Sequence, residues 1–170
     1  IPVINGGLLL EWYWDKGESA IPSTISSFGE DGEEIDGFAE QNQPPTVLVV
    51  DDSAALRRTL ALTLEKSGYR VIQAKDGQEA LLTLGQTIGI QLVICDVEMP
   101  NLNGFEFLGQ RRRNPDMIKI PVAMLTSRGS EKHRQLAMHL GASAYFTKPY
   151  IEQQFLMDIQ KLLSPSLAKV

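Results

Sequence analysis

The sequence predicts an α/β fold, a doubly wound five-stranded parallel sheet with helices on both faces, over residues 46–164. Three observations carry this. Short apolar runs rich in Val and Ile alternate with longer stretches whose apolar residues recur every three or four positions. The short runs are apolar almost throughout, as in parallel strands buried on both faces. The connections are short, and five strand-then-helix units in series favour right-handed crossovers within one open sheet.

In chain order, Thr46 to Val50 is the first strand, and Leu56, Leu60 and Leu64 mark the helix that follows, with Ser53 as its N-cap and Gly68 as its stop. Arg70 to Ala74 is a weaker strand, followed by a helix carrying Ala80, Leu81 and Leu84. Leu92 to Cys95 is the third strand, and Phe105 and Leu108 mark the third helix. Pro121 to Leu125 and Ser143 to Thr147 supply the last two strands. Leu136 and Leu140, stopped by Gly141, and then Phe155, Ile159, Leu162 and Leu163 supply the last two helices.

Residues 1–45 carry nine acids and one base, a net −8, so the other 125 of the 170 residues are +3 within a total of −5. Residues 15–45 are rich in Gly, Ser, Glu and Asp, close on Pro44 and Pro45, and read as an acidic flexible linker. Residues 1–14, IPVINGGLLLEWYW, are too apolar for a linker: they read either as the remnant of an upstream domain or as an element packed on the main one. Residues 165–170 form a tail. There is no apolar run of the roughly 18 residues that span a bilayer, and no basic secretory leader, so a cytoplasmic protein is expected. The single Cys95 excludes an internal disulfide or a Cys-rich zinc site, and reads as a small core residue.

An open α/β sheet binds ligands beyond the carboxyl ends of its strands, so chemistry is sought there. The first strand ends in Asp51 and Asp52, the third in Asp96, the fourth in Thr126 and the fifth in Lys148. Carboxylates about 4 Å apart repel by about 4 kcal/mol at an effective dielectric near 20, so a cation is needed among them. Mg²⁺ fits, because it takes carboxylate oxygens and keeps sites for water and phosphate. Asp96 at the end of a buried strand suits a nucleophile that forms an aspartyl phosphate. Mg²⁺, Thr126 and Lys148 would then hold the transferred oxygens. His133 and His139 stand six apart, not a ligand spacing for one helix face, and Arg111, Arg112 and Arg113 read as a solvated cap at a helix end.

VLVVDDSAALRR, LVICDVEMPNLNGFEFL, PVAMLTS and GASAYFTKP, in that order and spacing, closely resemble the receiver domain of two-component response regulators, a flavodoxin-like fold. The resemblance implies that Asp96 is the phosphoacceptor. It makes Asp51, Asp52, Asp96 and the backbone carbonyl of Glu98 the metal ligands, and Thr126 and Lys148 the phosphoryl-binding residues. Thr126 and Tyr145 become the switch pair that remodels the face of the fourth helix, fifth strand and fifth helix, through which a homodimer is also expected. Pro100, Gly104 and Pro149 shape the loops, the Lys148–Pro149 bond being cis. Glu98 and Arg128 occupy rate-tuning positions, either paired across the mouth of the site or solvated separately.

The function expected is a phosphoacceptor module that takes a phosphoryl group from a phosphohistidine. The donor is a histidine kinase or histidine phosphotransfer domain, which can lie in the same polypeptide. Residues 1–14 resemble the end of the coupling-protein-like regulatory domain of chemotaxis-type kinases, which makes the chain the receiver end of a hybrid histidine kinase. A stand-alone single-domain response regulator is the alternative. An aspartyl-phosphate phosphatase would need a cap domain, and a flavodoxin-like cofactor binder a hydroxyl-rich phosphate loop where Asp51 and Asp52 stand. With seven residues after Leu163, no nucleic-acid partner is expected.

Overall fold

Valine and isoleucine stiffen an extended backbone and fill a pleated surface, and the strands form where they cluster. In a computed structural model, which describes residues 43–164, the strands are β1 (Thr46–Val50), β2 (Arg70–Ala74), β3 (Ile90–Cys95), β4 (Val122–Thr126) and β5 (Ala144–Thr147). The helices are α1 (Ala54–Lys66), α2 (Gly77–Gln86), α3 (Gly104–Arg111), α4 (Glu131–His139) and α5 (Glu152–Leu163), with a 3-10 turn at Met117–Lys119. All strands are parallel, in the order β2-β1-β3-β4-β5. The expectations for residues 1–14, most of 15–45 and 165–170 lie outside the described residues.

Alternate residues of the strands feed two cores. Leu48, Val50, Val93, Cys95, Val122 and Met124 pack against Ala80 and Leu84 of α2, Phe107 and Leu108 of α3 and Ala137 of α4. Val47, Val49, Leu92, Ile94, Ala123 and Leu125 pack against Leu60 and Leu64 of α1 and Phe155 and Ile159 of α5. The sheet is therefore covered on both faces, as expected. Cys95 is buried in the first core, where desolvation raises its thiol well above the ordinary range and keeps it unreactive.

Local chemistry ends the helices as anticipated and in further places. The Ser53 hydroxyl accepts from Leu56 N at 3.3 Å to cap α1, and Gly68 and Gly141 follow α1 and α4 at φ +89° and +98°, where a side chain would be strained. Asp76, Asn103 and Ser130 cap α2, α3 and α4. Four strand boundaries shift: β3 starts at Ile90, β4 and β5 each start one residue later than expected, and β4 runs on to include Thr126.

Two expectations fail. Leu56 and Leu136 were assigned to apolar stripes, yet they are 51% and 43% exposed. Leu56 sits in the first turn of α1, which leaves the sheet at its rim before the helix lies down on the core, and all of residues 54–56 are exposed. Arg111 is not a solvated cap either. It follows Gly104, Phe107 and Leu108 at helical spacing on the buried stripe of α3, and its side chain is interior. There its Nη2 donates to Gly141 O at 3.1 Å, while Nε and Nη1 find no acceptor. Arg112 Nη1 donates to His139 O at 3.4 Å. Both guanidiniums thus reach the carboxyl end of α4, where the helix dipole favours positive charge. Burial, then the charge of Arg112, holds the Arg111 guanidinium below its ordinary pKa. His133 stacks on Phe105 and takes part in the α3–α4 contact, a packing role as read.

Candidate functional site

Parallel pairing continues one residue past the strands and sets the site. Val50 pairs with Cys95, so the next residues, Asp51 and Asp96, leave neighbouring strands side by side; Asp96 N donates to Val50 O at 2.9 Å and Asp51 N to Ala74 O at 3.2 Å. This is where strand order reverses, because β1 has β2 on one side and β3 on the other. At the other end of the rim, Thr126 pairs with Thr147 and Lys148 N donates to Thr126 O at 2.9 Å. Lys148–Pro149 is the cis peptide anticipated there.

Asp51, Asp52 and Asp96 each place a carboxylate oxygen within 4.8 Å of the others. Asp51 is buried, Asp96 half-buried and Asp52 exposed. Lys148 Nζ lies 3.0 Å from Asp51 Oδ2 and 3.5 Å from Asp96 Oδ2. Burial alone pulls the Lys148 ammonium down. The hydrogen bond that the ammonium donates to Asp51 and the charges of Asp96 and Asp51 outweigh it, and the amine ends above its ordinary value, charged at any physiological pH. Asp96 Oδ1 accepts from Val97 N at 2.6 Å and faces Glu98 N at 3.4 Å, which leaves Oδ2 as the oxygen turned to the cluster. An oxygen-only donor set of three carboxylates suits a hard divalent cation, and the residues fit Mg²⁺.

The remaining expected residues lie around this cluster. Thr126 is fully buried and its hydroxyl accepts from Arg128 N at 3.2 Å, so it braces its own loop. Arg128 and Glu98 are paired and not separately solvated: Nε and Nη2 of Arg128 donate to Glu98 Oε1 at 2.8 and 2.5 Å. Tyr145 is buried, with its hydroxyl donating to Arg128 O. Gly104 lies hard against the chain that leaves Asp96: a Cβ there would stand 2.3 Å from Asp96 O and 2.9 Å from Val97 Cα. Pro100 O accepts from Leu102 N at 2.8 Å within the same loop.

Several residues were not foreseen. Arg57 Nη1 donates to Asp51 O at 2.6 Å from α1, and Arg134 Nη2 donates to Tyr145 O at 3.1 Å with its guanidinium 5.4 Å above the Tyr145 ring. Asp76 reaches the loop after Asp96 through Asn101. The Asp76 cap carries a local signal, Glu79 three residues on, but the cross-chain contacts carry none. Among the described residues no helix is long and apolar enough to cross a membrane.

Residues 47–160 match the response regulator receiver domain family. The chain is 39% identical over 120 residues to the transcriptional regulatory protein CpxR of Escherichia coli, covering 71% of this chain and 50% of that one. It is 38% identical over 120 residues to the alkaline phosphatase synthesis transcriptional regulatory protein PhoP of Bacillus subtilis, covering 71% and 49%. The chain thus spans about half the length of the curated relatives it matches. Among solved structures, chemotaxis protein CheY4 of Vibrio cholerae superposes with TM-score 0.66 at 34% identity, over 70% of this chain and 98% of that one. The receiver domain of a signal transduction histidine kinase from Syntrophus aciditrophicus gives 0.66 at 28%, over 74% and 95%.

Proposed function

The chain belongs to the response regulator receiver family, and from that premise we propose that it accepts a phosphoryl group on Asp96 from the phosphohistidine of a histidine kinase or phosphotransfer domain. The observation that carries this is the cluster of Asp51, Asp52 and Asp96 within 4.8 Å, closed by Lys148. Asp96 Oδ2 attacks phosphorus, the new O–P bond replaces the N–P bond, and the imidazole leaves. Asp51, Asp52, Asp96 and the Glu98 carbonyl would hold Mg²⁺, whose charge would offset that of the transferred oxygens. Lys148 shifts from bridging two carboxylates to binding the phosphoryl group, and Thr126 gives up Arg128 N for the same purpose. Tyr145, tied to Arg128 O, then follows Thr126's loop and carries the change to the face of α4, β5 and α5. That face is where a partner or a second copy reads the signal, and the half-exposed Leu136 and Met138 of α4 offer it apolar contact.

The relatives favour a response regulator over the receiver end of a hybrid histidine kinase. CpxR and PhoP, at 39% and 38% identity, are named transcriptional regulators, against 28% for the histidine-kinase receiver. The expectation of no nucleic-acid partner gains no support from relatives of that kind. A phosphatase for external substrates gains none either, and a cytoplasmic site remains part of the reading.

Incubation with acetyl phosphate and Mg²⁺ is expected to add one phosphoryl group to the intact mass, and EDTA to prevent it. No adduct in either condition, together with no binding of beryllofluoride, would refute the assignment. The Glu98–Arg128 pair bars water from the phosphoryl group. The Glu98→Ala, Arg128→Ala double variant should shorten the aspartyl-phosphate lifetime up to about fivefold, the scale of an exposed surface pair. An unchanged decay rate would remove the pair from the mechanism.

A further inference from the structure

The loop that follows Asp96 takes its shape from outside the site. Asn101 has φ +63°, the one non-glycine residue with positive φ among the described residues, and Leu102 N donates to Pro100 O at 2.8 Å across it, closing a three-residue turn. A conformation of this kind persists only where its surroundings hold it. Two contacts from the start of α2 do so. Asn101 Nδ2 donates to Asp76 Oδ2 at 2.8 Å, and Gly77 N donates to Leu102 O at 3.0 Å. The approach is close, since a Cβ on Gly77 would stand 2.6 Å from Leu102 O. Asp76 is itself buried and cannot drift, because its other oxygen accepts from Glu79 N at 2.8 Å as the cap of α2. The hydrogen bonds from Glu79 N and then from Asn101 hold its carboxyl below the ordinary carboxylate range, so it accepts both as a carboxylate at neutral pH.

We propose that Asp76 is a positioning residue for the phosphoryl-accepting site: through Asn101 it holds loop 97–103, and with it Glu98, where the acidic cluster takes up Mg²⁺. This rests on the reading of Asp51, Asp52 and Asp96 given above. At its far end the loop is fastened by Gly104 N donating to Val97 O at 2.9 Å, within its own segment. Asp76 is the side-chain anchor that comes from α2, beside Arg128, which pairs with Glu98, and Glu106 of α3, which accepts from Asn103 N.

Calorimetric titration of the full chain with Mg²⁺ alone tests this, with thermal unfolding followed in parallel. In Asp76→Ser the short hydroxyl still caps α2 but cannot reach Asn101. In Asn101→Gly the positive φ is relaxed and the tether is lost from the other side. Each is expected to weaken Mg²⁺ binding about tenfold, as loss of an outer-shell partner does. The double variant should be no weaker than either single one, because both cut the same link. Asp76→Asn keeps the cap and can pair amide to amide with Asn101, so it should stay within about twofold of wild type. Wild-type affinity in Asn101→Gly, or a double variant that multiplies the two losses, overturns the proposal; Asn101 is exposed, so that variant carries the test even where Asp76→Ser does not fold. Absence of Mg²⁺ binding in wild type overturns the reading of the acidic cluster itself, and with it this proposal.

Discussion

Asp96→Asn is expected to abolish phosphoryl uptake, by at least about a thousandfold, while the fold survives. The amide has almost the shape of the carboxylate, so Oδ1 can keep its hydrogen bond from Val97 N. What it loses is the nucleophilic oxygen and one negative charge of the cluster. Lys148 then keeps only Asp51 as partner, at 3.0 Å. Two carboxylates within 4.8 Å repel by roughly 3 to 4 kcal/mol at an effective dielectric near 20, before Lys148 screens them. Removing one should therefore leave the unfolding free energy unchanged or raise it by about 1 kcal/mol, with acid groups at such sites kept for chemistry at the expense of stability. Intact mass after acetyl phosphate and urea denaturation read the two effects separately. Retained phosphorylation in this variant would move the acceptor to Asp51 or Asp52.

Gly104→Ala should have the largest effect on folding, about 3 kcal/mol, or roughly 10 °C in the unfolding midpoint. Gly104 opens α3 directly under the loop that leaves Asp96. A methyl group there meets Asp96 O at 2.3 Å, Met124 Cε at 2.7 Å and Val97 Cα at 2.9 Å. Met124 can swing its terminal methyl away, but two of the three atoms are backbone, and the helix start would have to lift. Lifting it also breaks Gly104 N to Val97 O, so phosphoryl uptake should fall with stability. A melt unchanged from wild type would show that the loop yields freely.

The acidic cluster was legible because its members follow the ends of apolar strands, and parallel pairing brings strand ends to one rim. The same logic located Thr126 and Lys148. Covalent pattern could not reveal Arg111, whose place on the buried stripe of α3 was plain from its spacing to Gly104, Phe107 and Leu108 but whose charge argued for water. Its burial depends on the Gly141 carbonyl, 30 residues away. Asp76 and Asn101, 25 residues apart, likewise meet only after folding. Leu56 erred the other way: its periodicity was right, but the rim ends before its turn begins.

Arg111 and Arg112 grip the carbonyls of Gly141 and His139 at one end of α4, whereas its other end is held through side chains, His133 against Phe105 and Arg134 on Tyr145. A helix fastened this way behaves as a lever. Its nine residues give an arm of about 13 Å, so a tilt of about 10° at the clamped end would carry the amino-terminal end through about 2 Å. The displacement would be greatest at Glu131 and nearly nil at His139. A partner reading α4 would gain most by touching its amino-terminal turn, where a small rearrangement around Thr126 would be magnified.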